Sequence, residues 1–158
     1  MTLHIFEPFT ACDGLAAVLA PGGVPTNVGS VQKVYSRSQP LPYGGLTPAL
    51  FIYPAMDDHV LRMGRAGFDD GSISVRYWDS TPVQQQNDLA TVETVMATNR
   101  PLIIAAIRSD MSWSGTVSNG GATIRNISQP DGPIEMQKGV WIVQFQLLCS
   151  FRSEKEMF

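Results

Sequence analysis

Charged residues, histidine and cysteine are all scarce in this sequence. Only 16% of its 158 residues are Asp, Glu, Lys or Arg, and His4 and His59 are its two histidines. Cys12 and Cys149 are too few for a disulfide framework, and their apolar neighbours favour buried thiols over reactive ones. No apolar run approaches the ~20 residues of a membrane-spanning helix. Disulfide scaffolds and helical membrane proteins are therefore excluded.

Clusters of positive charge are also missing. The net charge is −3, and the nearest basic pairs, Lys33 with Arg37 and Arg62 with Arg65, are separated by uncharged residues. Nucleic-acid binding depends on clustered Lys and Arg that displace counterions, so we expect no nucleic-acid partner. The first residues, 1–7, lack the basic and apolar regions of a signal peptide, and we expect folding in a reducing cytoplasm.

The composition that is present favours one folded domain. Hydrophobic residues make up 44% of the chain, which also contains 14 Gly and 11 Pro. This balance is typical of a compact domain with many turns, and the length suits a single unit covering 1–158. The chain contains no internal repeat that would indicate a solenoid.

Two helices are predicted with the most evidence. Apolar residues at helical spacing place the first at Phe6–Ala20, ended by Pro21 and Gly22. The second is expected to start with Thr81 as cap and Pro82 in the first turn, and to end near Thr98. Its core stripe would contain Leu89, Val92 and Met96, and Asn99 and Pro101 would end it. The apolar segment Pro101–Ile107 is predicted to form a further short helix, because Ile103, Ile104 and Ile107 fit helical spacing.

Alternating and apolar runs predict the strands. Ser30–Ser36 is expected to be one, and the apolar run Ala49–Tyr53 is typical of a strand buried on both faces. Ser72–Trp78 alternates, with Ile73, Val75 and Tyr77 on one face.

The last third is predicted to be β. Ser114–Ser118 and Ala122–Ser128 would form a hairpin around residues 119–121, and residues 129–133 would form a turn. Val140–Arg152 is expected to be a long closing strand that either pairs with several strands or projects from the domain. The predicted fold is thus α+β, a mixed or antiparallel sheet packed by two or three helices.

No catalytic constellation is found in the sequence. There is no nucleophile elbow, no phosphate-binding loop and no zinc spacing of cysteines, so we expect neither an enzyme nor a cofactor. The nearest candidate is a metal site built from Asp57, His59 and Asp69, but consecutive residues such as 57–59 point to opposite sides of an extended chain. Solvated loop acids are favoured over metal ligands.

The order of these elements resembles the tail terminator (tail completion) proteins of long-tailed bacteriophages. An N-terminal helix, a central helix entered from an alternating strand, a glycine-bearing hairpin and a long terminal strand carry the resemblance. In this chain the matching segments are Ala49–Tyr53, Ser72–Trp78, Thr81–Thr98, Gly115–Ser128 and Val140–Phe151.

The resemblance implies a structural virion protein without an active site. It would form a ring, usually a hexamer, that caps the finished tail tube in the virion, and its partners would be the tube protein and a head-completion or neck protein. Residues 36–48 and 55–71 would then be long arms or loops at subunit contacts. The candidate interface residues are Leu41, Tyr43, Asp57, Arg62, Arg65, Gln144, Gln146 and Arg152.

The closing strand supports self-association in a second way. Its polar face carries Gln144, Gln146 and Arg152 but is interrupted by Ile142 and Leu148. This pattern indicates an edge that pairs or packs with a neighbouring subunit. The alternatives are another tail or neck component, and a module that binds a small ligand or peptide through its Trp and Tyr residues.

Overall fold

The described residues form two helices packed against a six-stranded mixed sheet. The computed structural model describes residues 8–19, 30–31, 33–36, 48–55, 68–82, 86–117, 123–127, 131–137 and 140–154. In chain order the elements are α1 (Pro8–Leu19), β1 (Lys33–Ser36), β2 (Ala49–Pro54), β3 (Phe68–Pro82), α2 (Gln86–Ser109), β4 (Thr123–Ile127), β5 (Asp131–Gln137) and β6 (Val140–Glu154). The predicted α+β class is confirmed.

Helix α1 buries one stripe of small and branched side chains on the sheet. Leu15, Val18 and Leu19 are all buried, as their helical spacing predicts. Gly14 lies in the middle of this helix, where a Cβ atom would overlap the side chain of Thr116 and the backbone carbonyl of Trp113. The glycine therefore allows α1 to pack closely against the turn that follows α2.

Helix α2 is longer than predicted because it continues through Pro101 to Ser109. The end predicted near Thr98 was wrong, and the separate short helix expected at Pro101–Ile107 is part of α2. Proline removes one N–H, but Pro101 itself is exposed and the buried stripe runs on without a break. The buried members of that stripe are Val92, Met96, Asn99, Ile103, Ala106 and Ile107.

The closing strand β6 is central to the sheet. It pairs with β3 along 15 antiparallel residue pairs on one side and with β4 and β5 on the other. The expectation that this strand forms an edge was wrong, whereas its pairing with several strands is confirmed. Its length is explained because two short strands share one of its sides.

Strand β3 has the predicted alternation but extends further in both directions. It begins at Phe68, inside the segment expected to be a loop, and it ends at Pro82. The helix start predicted at Thr81 and Pro82 was wrong, because these residues pair with Trp141 and Val140 of β6. Long-range pairing has overridden a local capping pattern.

Two predictions in the last third were also wrong. Residues 111–116 form a turn, so the strand expected at Ser114–Ser118 and its hairpin with Ala122–Ser128 are not formed. Strand β4 is confirmed at Thr123–Ile127, but it pairs with β6. The turn expected at residues 129–133 is instead partly strand, since β5 starts at Asp131, and the pairing of β5 with β6 contains two register shifts.

One face of the sheet holds the main core. Leu50 and Ile52 of β2, predicted to lie in a doubly buried strand, contact this core, while Ala49 and Phe51 are buried on the opposite face. The predicted face of β3 and the inward face of β6 are buried under α1 and α2. These inward residues are Ile73, Val75, Tyr77, Val143, Phe145, Leu147 and Cys149.

Candidate interaction surface

Both described helices pack on one side of the sheet, and we call the opposite side the helix-free face. Strand alternation determines which residues it presents. From the register and the burial, the helix-free face comprises Tyr35, Ala49, Phe51, Tyr53, Ser72, Ser74, Arg76, Trp78, Ser80, Ile142, Gln144, Gln146, Leu148 and Ser150.

One part of this face is a buried aromatic cluster. Tyr35 stacks on Phe51 with ring centroids 5.2 Å apart, and Phe51 meets Trp78 edge-on at 6.5 Å. Only 4% of the surface of Phe51 and of Trp78 is exposed. The three rings therefore pack against one another, and Trp78 lies inside β3 and not at its end, where the sequence had placed it.

Beside this cluster, a half-buried, mostly polar stripe along β3 and β6 consists of Arg76, Gln144, Gln146 and Leu148, while Ser72 and Ser74 of the same face are buried. Gln144 lies opposite Trp78, Gln146 opposite Arg76 and Leu148 opposite Ser74. Gln146 Nε2 donates a hydrogen bond of 2.5 Å to Ser74 Oγ. Arg76, Gln144, Gln146 and Leu148 are all partly exposed. The stripe can supply hydrogen bonds to a partner without burying many charges.

Of the predicted interface residues, Gln144 and Gln146 lie together on this stripe. Arg152 lies further along β6, where its backbone pairs with Asp70. Leu41, Tyr43, Asp57, Arg62 and Arg65 lie outside the described residues.

The β3–β6 ladder extends past the ends of the other described strands. β2 pairs with β3 as far as Pro54 and Ile73, with one more hydrogen bond from Ala55 N to Ser72 O, and β4 pairs with β6 as far as Ser150. Beyond these points four residue pairs, Phe68–Gly71 with Phe151–Glu154, continue the ladder. We call these eight residues the terminal ribbon; its base, at Gly71, is buried.

A polar network that the sequence did not reveal joins the buried Asn99 of α2 to the buried Tyr77 of β3 and to the exposed Ser30. Asn99 Nδ2 donates to Tyr77 Oη (3.2 Å) and to Ser30 Oγ (3.1 Å), and Asn99 Oδ1 accepts from Ser30 N (3.2 Å). Burial, with a smaller contribution from the nearby Asp79, raises the pKa of Tyr77 well above its usual value. A core tyrosine requires a polar partner, which is the signal that points to such a network.

The turn after α2 is organised by the carboxylate of Asp110. It accepts hydrogen bonds from Ser112 Oγ (2.6 Å), Ser112 N (3.0 Å) and Ser114 N (2.9 Å). These bonds, led by that of the Ser112 side chain, lower the pKa of Asp110. The turn holds the fully buried Trp113 at φ 47° and Ser114 at φ 58°, values that non-glycine residues rarely adopt.

Reactive chemistry has little support in the described part of the chain. Its residues contain no group of three or more His, Cys, Asp or Glu placed to hold a metal ion. Asp57 and His59 of the alternative metal site lie outside it, and of Asp69 only the backbone is described. Cys12 and Cys149 are buried free thiols, as predicted, and burial raises the pKa of Cys149 to about 12.

Comparison with known proteins gives no family. No protein-family model matches the chain. No curated protein matches it with significant similarity. Neither helix in the described ranges is long and apolar enough to cross a membrane.

Proposed function

We propose that this chain is a structural virion assembly protein of a long-tailed bacteriophage. In this proposal it forms a homo-oligomeric ring, best described as a hexamer, that terminates the tail tube and joins it to the head. Its partners are further copies of itself, the tube protein and a neck protein, and it works without a cofactor.

The observation that carries this proposal is the half-buried polar stripe on the helix-free face. Gln144, Gln146 and Leu148 lie beside Arg76 on the two longest strands, which provides hydrogen-bonding groups on a stiff surface. Amide side chains are buried at lower cost than charges, so such a surface suits a contact between subunits.

The order of elements supports the family resemblance in part. The N-terminal helix, the central helix after an alternating strand and the long terminal strand are retained. The glycine-bearing hairpin is replaced by the Asp110 turn followed by β4 and β5, both paired with β6. The resemblance therefore rests on the helices and on the long strands.

Electron microscopy and mass measurement test the proposal directly. Negatively stained purified protein is expected to show rings, and light scattering should give a mass that is an integral multiple of 17.2 kDa. Addition to growing tail tubes of the same phage should stop their elongation. A chain that remains monomeric at all concentrations and leaves tube length unchanged would contradict the proposal.

The ligand-binding alternative has weaker support. Of its candidate Trp and Tyr residues, Tyr35 and Trp78 are already packed against Phe51, and Tyr77 and Trp113 are fully buried. A flat ligand would have to displace these contacts before it could stack. Within the phage setting, a tube or connector protein would also form rings, and the tube-elongation assay distinguishes those roles from termination.

A further inference from the structure

The two outer edges of the described sheet differ in their readiness to accept another strand. On one side β4 and β5 pair with β6 through three register shifts, and β5 contains Pro133, which has no N–H to donate. Bulges and proline are the means by which proteins block an edge. On the other side β1 is a regular strand of four residues, whose pairing with β2 has no shift. In the described part of the chain, no strand pairs with the outer edge of β1.

The terminal ribbon is a strand pair that no other described strand flanks. Its β3 strand, Phe68–Gly71, pairs with β6 along one edge. The opposite edge of β3 pairs with β2 from Ile73 onward, but at Phe68–Gly71 no described strand pairs with it. A two-stranded ribbon is marginally stable in water, so pairing with a further strand stabilises it.

The ribbon and the edge of β1 are complementary in length and in charge. The ribbon is four pairs long and β1 has four residues. The β3 strand of the ribbon carries two acidic residues, Asp69 and Asp70, whereas β1 begins with the basic Lys33. On the other ribbon strand the formal charges of Arg152 and Glu154 cancel, so the ribbon is acidic overall. Within one chain β2 separates β1 from β3, so these two edges cannot pair in the same molecule.

We propose that the β3 edge of the terminal ribbon adds to the outer edge of β1 in a neighbouring copy of this chain. Each subunit then presents two different surfaces, the ribbon and β1, and the contact is head-to-tail. Contacts of this kind generate closed rings when the rotation closes. The inference rests on the proposed ring and identifies which backbone edges hold neighbouring subunits together.

Charge reversal tests the pairing of Lys33 with the acidic ribbon. Lys33→Glu alone, and Asp69→Lys with Asp70→Lys, are each expected to raise the concentration at which the oligomer dissociates by at least about tenfold, because like charges then meet. All three changes combined restore opposite charges and are expected to bring dissociation back near the wild-type concentration. Analytical ultracentrifugation over a dilution series measures this, with circular dichroism to verify folding.

A matched control is available on the blocked edge. Glu135 is exposed on β5, so Glu135→Lys introduces a comparable charge change without touching the proposed contact. It should assemble as the wild type does. Reversed-charge variants that remain folded and assemble as tightly as the wild type would overturn the inference while leaving the ring function intact. A wild-type chain that never assembles would instead contradict the proposed function itself.

Disulfide cross-linking tests the geometry independently of charge. A chain carrying both Lys33→Cys and Asp69→Cys should form a ladder of covalent oligomers on oxidation, whereas each single cysteine variant should stay largely uncross-linked. A two-fold contact between identical surfaces would give the reverse pattern and would overturn the proposal, as would a double variant that yields only monomers. The native Cys12 and Cys149 are fully buried and should not interfere.

Discussion

At position 14 the requirement for glycine comes from packing and not from helix propensity. In the middle of α1 a glycine lowers helix stability by about 1 kcal/mol relative to alanine. Yet the position directly faces the Trp113 carbonyl and the Thr116 side chain, which leaves no space for a Cβ atom. The backbone carbonyl cannot move aside without disturbing a turn that already holds residues at positive φ.

Gly14→Ala should therefore destabilise the protein although alanine is the better helix former. We expect a loss of about 1–3 kcal/mol in the free energy of unfolding from overpacking. Urea unfolding followed by circular dichroism measures it. The matched variant is Ala17→Gly on the exposed side of the same helix, where propensity alone should cost about 1 kcal/mol. A stabilised Gly14→Ala protein would show that α1 and the turn are not in close contact.

Asp110 provides a pH-dependent prediction at the same scale. Its pKa is lowered in the folded state, so its stabilisation is fully present above the unfolded value of about 3.9 and is lost as the pH falls through the folded value. Asp110→Ala should lower stability by about 1–2 kcal/mol at pH 7, as loss of a capping residue does. The difference between wild type and variant should shrink as the pH falls below about 4, which thermal unfolding at several pH values would reveal. A difference that is independent of pH would exclude the carboxylate as its source.

At the scale of elements, local patterns identified strands and helices better than they identified their ends. The alternation of Ile73, Val75 and Tyr77 was sufficient to predict β3, because a half-buried strand needs this period. Thr81 and Pro82 match a helix start equally well as sequence, and only their pairing with Trp141 and Val140 makes them strand. That pairing joins residues about 60 positions apart in the chain, which no local window contains.

Helix α2 illustrates the same limit. Asn99 and Pro101 together are a normal signal for a helix end, but here Asn99 is buried and hydrogen-bonded to Tyr77 while Pro101 lies on the exposed side. Continuing the stripe through Ile103 and Ile107 buries more apolar surface than ending the helix would, and this outweighs one missing hydrogen bond. For the candidate surface, the alternation of β6 was sufficient to predict that Gln144 and Gln146 share one face. It could not predict that β6 is central in the sheet, because that depends on pairing with distant strands.

Asn99→Ala should destabilise the packing of α2 on the sheet. It removes a donor to Tyr77 Oη and the acceptor of Ser30 N, and we expect a loss of about 1–3 kcal/mol. Thr98→Ala, on the exposed side of the same turn, should change stability by less than about 0.5 kcal/mol. Chemical denaturation of both variants, and of Tyr77→Phe with and without Asn99→Ala, measures the coupling between the two groups. Fully additive losses would mean that Tyr77 and Asn99 do not act as a pair.

For the whole molecule, β6 joins elements that are far apart in the chain. It lies between β3, which precedes α2, and β4 and β5, which follow α2, and its inward face completes the main core. The centre of β6 is therefore protected by the core and by neighbouring strands. Its last residues, in the terminal ribbon, pair with β3 alone among the described strands. The two regions should differ in stability within one molecule.

Hydrogen exchange can measure this difference and relate it to assembly. Backbone amides of Val143–Cys149 that bond to β3 should exchange only by global unfolding, because they lie in the middle of the β3–β6 ladder over the core. In dissociated protein the amides of the terminal ribbon should exchange much faster, since a two-stranded ribbon opens locally at little cost. At concentrations where rings form, pairing with β1 of the next subunit should slow exchange in Phe68–Gly71, and mass spectrometry of labelled peptides would detect it. Protection that appears in the peptides of β4 and β5 instead would place the subunit contact on the bulged edge and would rule out the head-to-tail pairing through β1.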